Sequence, residues 1–255
     1  GPACMPEPVL EQLREELRPH TPLVIATRVD TPEMAGEVKT AGFRLLQGRF
    51  YSMPTSETRT SLAEHQVDSL RLLGQMQASD ITMEALEGII KRDVALTFRV
   101  LRSINSSAYA VRREVSSIRQ ALVLLGLEQV RRWAWIWVLA GISQGSSSAV
   151  LSTALVRARF CEMLAADHAD QTIRSSAFLL GLCSMLDVLL GAPMLTITQD
   201  LPLPKIAREA LDGQVNDARR LIDCVAAWER ASWTEAGRIA TQLGVASAAL
   251  PPMYR

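Results

Sequence analysis

The 255-residue sequence predicts a mainly α fold with a small βαβ unit at its front. Three observations carry this. From Leu62 onward no stretch alternates polar and apolar residues as a half-buried strand does, and apolar residues instead recur at three- and four-residue spacings. Residues 6–54 differ in character, with two compact β-type runs flanking one short helix. Helix-starting and helix-stopping residues also stand where the periodicity needs them: Thr82, Asp93 and Ser116 or Ser117 precede apolar stripes, and Gly42 and Gly126 follow them.

Residues 1–5 (Gly-Pro-Ala-Cys-Met) are expected to be a cloning scar left by a protease, with the natural sequence starting near Pro6. Val9 to Leu17 reads as a short helix with alternating Glu and Arg. Pro22 to Ala26 is a β-type run. Thr31 or Asp30 caps a helix over Pro32–Ala41 that starts on proline and ends at Gly42. Phe43 to Tyr51 carries the second strand. A lone βαβ unit cannot bury both faces of its strands, so this one is expected to belong to a larger barrel or to dock on the helical part. Its apolar edge makes a homodimer an expectation.

Residues 55–61 are a polar linker, and the helical domain runs over 62–255. Val67, Leu70, Leu73 and Met76 stripe its first helix. Leu86, Ile89 and Ile90 line the next, behind Thr82. Asp93 caps a third, striped by Leu96, Val100, Leu101 and Ile104. A fourth covers Ile118–Leu125 and stops at Gly126. Glu128 opens a fifth, in which Trp133 and Trp137 are four apart and are expected to form a core stripe. Gly145 to Ser148 is a break, followed by long helices over about 149–168 and 173–190. Pro202 and Pro204 start a short helix, helices at about 215–230 and 233–243 follow, and Pro251-Pro252 opens a last segment.

Net charge is zero, which argues against broad nucleic-acid binding, since that needs a basic face. The pairs Arg112-Arg113 and Arg131-Arg132 are expected to be solvated helix ends. Cys4, Cys161, Cys183 and Cys224 are spread singly, a reduced pattern that points to a cytoplasmic protein with buried free thiols. No span is expected to reach the roughly 20 apolar residues of a membrane helix. Trp133–Ile142 is the best candidate, at half that length, and no signal peptide is evident.

Two resemblances emerge from particular residues. Ala26-Thr27-Arg28-Val29-Asp30-Thr31, Ala41-Gly42-Phe43 and Gln47-Gly48-Arg49-Phe50-Tyr51-Ser52-Met53-Pro54 resemble the closing βαβ of an EAL domain, a TIM-like barrel that hydrolyses cyclic di-GMP with metal ions. The resemblance places Gln47 at an active-site glutamine, Asp30 where the family has a catalytic glutamate, and Thr27 at another glutamate. The Glu-Ala-Leu motif and the other metal carboxylates are absent, and Glu84-Ala85-Leu86 spells those letters only by coincidence. One aspartate and one glutamine cannot hold metal ions and activate water, so this chain is not expected to hydrolyse cyclic di-GMP.

Residues 62–255 resemble the HDOD domain, an all-helical relative of the HD phosphohydrolases. The carrying residues are Asp93-Val-Ala-Leu96-Thr97, Leu101-Arg102-Ser103-Ile104-Asn105-Ser106, Tyr109, Val115-Ser116-Ser117-Ile118, Ala121, Leu125-Gly126 and Ala177 to Leu182. The two parts together are similar to EAL–HDOD signalling proteins, a similarity that extends to Trp228 to Trp233. The HD hydrolases carry a metal-binding His-Asp pair after the stretch matched by Gly181-Leu182-Cys183. Here Ser184 and Met185 stand there, and neither suits a hard divalent ion. His20, His65 and His168 occupy no matched ligand position, and His168 is expected to meet a helix C-terminus.

No metal or cofactor is therefore expected. The candidate binding residues are Asn105, Ser106 and Tyr109, at a turn between two helices, with Arg102, Arg112 and Arg113 nearby. Asn and Ser there equally suit a structural role, satisfying orphan backbone groups. The resemblance implies a non-catalytic bacterial signal-transduction module, working through a protein partner in cyclic di-GMP or two-component signalling. Cyclic di-GMP itself would bind only through a complete EAL domain. The alternatives are the regulatory half of an active cyclic di-GMP phosphodiesterase and a divergent metal-dependent HD phosphohydrolase.

Overall fold

In the front part of the chain two strands pair in parallel around one helix. β1 (Ile25–Ala26) lies beside β2 (Leu45–Leu46), with Ile25 opposite Leu45 and Ala26 opposite Leu46. Between them runs α1 (Pro32–Thr40), whose N-cap is Thr31: its hydroxyl accepts from the Met34 N–H at 3.2 Å. Gly42, at φ +86°, turns the chain out of the helix. The computed structural model describes residues 8, 9, 12, 15, 25–53, 62–76, 80–106, 115–142, 148–199, 201 and 203–253. The linker, Cys4, His20, Tyr109, Arg112 and Arg113 lie outside them, as does most of the helix expected over Val9–Leu17.

This βαβ unit has its own small core, in which Val29, Ala35 and Val38 are packed by Met34, Phe43, Leu46 and Phe50. Each strand is two residues long, shorter than the runs in the sequence. Pairing continues beyond them through Gln47 N–H to Ala26 O at 2.7 Å and Val29 N–H to Gln47 O at 3.1 Å. Gly48 is required there, because a Cβ would lie 1.9 Å from the Val29 oxygen. Ile25 and Leu45, side by side in the register, remain exposed. A turn of 3-10 helix (Phe50–Ser52) follows, and its middle residue, Tyr51, packs on the core of the helical domain.

The helical domain starts with α2 (Glu64–Met76), α3 (Met83–Arg92) and α4 (Val94–Ile104). Thr82 caps α3. Asp93 ends α3 and caps α4, accepting from the Leu96 N–H at 3.0 Å. Ser117, not Ser116, caps α5 (Ile118–Leu125), and Gly126 at φ +80° separates it from α6 (Leu127–Ile142). The apolar stripes read from the sequence are buried in each, except that Val67 and Leu101 are half-buried and Gln66 is buried beside Val67.

Trp133 and Trp137 do share a face of α6 and stack at 6.2 Å, but that face is half-buried. The core tryptophan is Trp135, fully buried on the opposite side. Spacing shows that two residues share a face but not which face is inward. Arg131 and Arg132 are likewise not solvated helix ends. Arg131 is buried beside Glu128, and Arg132 pairs with Glu162 and lies 5.0 Å over the Phe178 ring.

The second half packs α7 (Ser148–Leu164) against α8 (Gln171–Cys183). The expected helix over 173–190 is two helices: a turn at Ser184-Met185 separates α8 from α9 (Leu186–Leu190), which ends at Gly191 with φ +63°. The Ser184 hydroxyl donates to Gly181 O at 2.7 Å and so competes for the backbone at the break. Among the described residues Gln171–Leu190, not Trp133–Ile142, is the 20-residue stretch that by length and composition alone could span a membrane; its most apolar 18-residue window has mean hydropathy 1.6 and is 67% buried in the fold. His168 lies in the loop after α7 rather than at a helix end. Its Nδ1 accepts from the Asp170 N–H, and its Nε2 is 3.6 Å from Asp217. The chain closes through α10 (Met194–Thr198), α11 (Lys205–Leu211), α12 (Asp217–Glu229), α13 (Trp233–Gln242) and α14 (Leu250–Met253).

Candidate functional site

Beside Ser184, at the break after α8, this chain places an ion pair. Arg157, from the apolar middle of α7, reaches Glu229 at the end of α12. Its Nε donates to both carboxylate oxygens at 2.9 and 3.1 Å, and its Nη2 donates to Oε2 at 2.6 Å. Its Nη1 stands 3.4 Å from the Ser184 hydroxyl. The side chains of Arg157 and Glu229 are only 14% and 11% exposed. Burial disfavours the charged guanidinium, but the Glu229 carboxylate more than offsets this and holds its pKa above the ordinary value. Trp228 closes this region, edge-on to Phe160 and Trp233.

The same region holds Asp187 and two cysteines. Burial raises the Asp187 carboxyl above the usual range, against the pull of Arg157. Burial also pushes the Cys161 thiol to about 12 and the Cys224 thiol to about 11. Such thiols stay protonated at neutral pH and are poor nucleophiles. Cys183 is buried and raised in the same way. A divalent ion does not fit here: Ser184 offers a neutral hydroxyl with the Arg157 cation beside it, and Met185 offers a buried thioether. Among the described residues no three His, Cys, Asp or Glu side chains converge as a metal-holding group.

The Asn105 turn is tied to its own backbone. Asn105 Nδ2 donates to Leu101 O at 2.9 Å and to Val115 O at 2.8 Å, while Oδ1 accepts from the Val115 N–H at 2.8 Å. The carboxamide thus takes the part of a neighbouring strand for Val115 and closes the connection to α5. Ser106 donates to Ser103 O at 2.6 Å. Arg102 is exposed. Asn105→Asp removes two donors and sets a carboxylate against two carbonyls, so we expect a loss of about 2–3 kcal/mol, read as a lower urea midpoint at unchanged slope. A midpoint that does not move would show that the carboxamide holds nothing.

The EAL-like positions are spread along the front unit. Thr27 and Gln47 are exposed, whereas Asp30 is half-buried and accepts from the Arg49 N–H at 3.2 Å. Asp30 therefore anchors the segment after β2 in this fold.

One open feature lies apart from the Asn105 turn and gathers residues read from the sequence in other roles, among them His65, the cap Asp93 and Trp137. A cleft of about 230 Å³ lies between α2, the start of α4 and the end of α6, lined by His65, Leu72, Asp93, Arg99, Trp137 and Ile142 among others. Arg99 crosses it to donate to Trp137 O at 3.2 Å, and Gly141 leaves room for that guanidinium. Three helices far apart in sequence form this cleft, so no local pattern announces it.

Comparison with known proteins places these features in a family. The HDOD domain family profile matches residues 66–218. The uncharacterized protein YuxH of Bacillus subtilis is 29% identical over 224 residues, covering 87% of this chain and 54% of that protein. The cyclic di-GMP phosphodiesterase CdgJ of Vibrio cholerae is 28% identical over 220 residues, covering 86% of this chain and 51% of that protein. The chain thus spans about half the length of these curated relatives. Among solved structures, the MmoQ response regulator of Methylococcus capsulatus is 21% identical over 78% of this chain and 99% of its own, with a TM-score of 0.38. An HDOD domain protein of unknown function from Geobacter sulfurreducens is 19% identical over 74% of this chain and 65% of its own, with a TM-score of 0.42.

Proposed function

Because the chain belongs to the HDOD domain family, we propose that it is a non-catalytic signal-transduction module that acts through protein–protein contact in the cytoplasm. The Arg157–Glu229 pair carries this reading. A hydrolytic metal centre needs clustered anionic or neutral donors and an open coordination position. A buried guanidinium already neutralised by a carboxylate supplies neither, and Ser184 and Met185 add no ligand that would replace them.

Residues 6–54 are, on this proposal, the C-terminal βαβ remnant of an EAL domain. The parallel pairing of β1 and β2 around α1 and the alignment with CdgJ support it. A second reading follows from that relative: the chain is the regulatory half of a cyclic di-GMP phosphodiesterase, with catalysis placed in the rest of the longer protein. The purified chain, supplied with magnesium or manganese, is expected to leave cyclic di-GMP intact. Turnover that survives repurification and disappears in Glu229→Gln would overturn the non-catalytic reading. The regulatory reading predicts instead that removing residues 62–255 from the longer protein changes its phosphodiesterase rate.

A further inference from the structure

We propose that the exposed arc of α4, together with the cleft it borders, is the docking surface for an acidic amphipathic helix of a partner protein. The inference rests on the protein-contact reading above and gives it a place and a chemistry. At 100° per residue, Val94, Phe98, Arg102, Ala95 and Arg99 follow one another around one side of α4 across about 140°. Leu96, Val100 and Ile104 occupy the opposite side and are buried in the core. Val94 is 81% exposed and Phe98 63%, although both are large and apolar. The arc ends on Ala95 and Arg99, which line the cleft with Trp137 and Leu72. An apolar ridge thus runs into a cavity large enough for an apolar anchor.

Charge identifies the occupant. Elsewhere in the helical domain most guanidiniums meet carboxylates: Arg119 meets Glu87, Arg132 Glu162, Arg157 Glu229 and Arg219 Asp223. Arg99 and Arg102 have no carboxylate partner among the described residues, and Arg99 spends only one donor, on the Trp137 carbonyl. Asp93 shares the cleft, but its Oδ1 is engaged by the Leu96 N–H at the start of α4. Two guanidiniums without a carboxylate partner, both on the cleft side of exposed Val94 and Phe98, match a helix with apolar anchors at i, i+3 or i+4, and i+7, and with Glu or Asp along one edge of them. From residue 94 to 102 the arc is about 12 Å long, a little over two turns of such a helix.

The test is selection of helix-forming peptides from a random displayed library against the whole chain, followed by binding titrations. Enriched sequences should be acidic and amphipathic. Their affinity should fall at least tenfold in Phe98→Ser and in Arg102→Gln, fall further with added salt, and stay unchanged in Arg238→Gln, a control at another exposed arginine. Arg99→Gln should act like Arg102→Gln, and circular dichroism of each variant separates lost binding from lost fold. Failure to enrich any sequence, enrichment of basic or neutral ones, or equal binding by Phe98→Ser would each overturn the placement. Peptides that bind the chain while ignoring the α4 variants leave the protein-contact reading standing and remove only this surface.

Discussion

Glu229→Gln should cost about 3 kcal/mol of folding stability, although it changes one atom type and no volume. The reason lies in what it leaves behind. Arg157 is drawn out of water by α7, α8 and α12, and its charge is tolerable there only because two carboxylate oxygens receive three of its N–H contacts. An amide returns one acceptor and no charge. Arg157→Met should cost a similar amount for the mirrored reason, a carboxylate buried without its cation. The double variant Arg157→Met, Glu229→Met should recover to within about 1 kcal/mol of the parent, because apolar side chains of similar volume often replace a buried pair without loss. Urea unfolding of the four proteins forms a double-mutant cycle. Single variants that each cost under about 1 kcal/mol would place the pair in the class of exposed ion pairs instead.

The cycle also bears on function. If the pair holds the fold together beside the Ser184 break, the ionic groups serve packing rather than turnover. A double variant that is stable and still engages its partner would support that separation, since its centre would hold no charged group apart from Asp187.

Much of the fold was legible because helix starts are local events. Thr82, Asp93 and Ser117 announce themselves by a short polar side chain ahead of an apolar stripe, and each accepts from the backbone N–H three residues on. The Ser184-Met185 break was not legible. The run from Gln171 to Leu190 is apolar enough for one helix, and only the hydroxyl's bond to Gly181 O shows why it divides. Arg157 and Glu229 are 72 positions apart, and nothing local links them. Arg157 within Ala-Leu-Val-Arg-Ala-Arg-Phe was the available sign, since burying it demands a partner, but Arg159 two positions on is exposed and the sequence does not separate the two. Asn105 was legible as a turn residue with two possible roles. Its three bonds to Leu101 and Val115 give it the structural one.

Gly181→Ala should destabilise by about 3 kcal/mol, against the usual rule that alanine in a helix outdoes glycine by about 1 kcal/mol. Gly181 lies where α8 crosses α7, one turn before the Ser184 break. A Cβ there would stand 2.5 Å from Arg157 O and 2.7 Å from Ala158 Cα. Both are backbone atoms, so no side chain can swing aside; the helices must separate. Separation would also draw Arg157 from Glu229, coupling this glycine to the ion pair. For a domain of this size the melting temperature should fall by about 6–12 °C. Gly88→Ala supplies the opposite sign from the same chemistry. Gly88 is exposed in α3, and a Cβ there meets nothing within 4 Å. That variant should gain about 0.5–1 kcal/mol. Equal effects at the two glycines would show that helix propensity, not the approach of α7 to α8, sets the outcome. In the Arg157→Met, Glu229→Met background the cost of Gly181→Ala should shrink, because helices no longer held by the pair can part more easily.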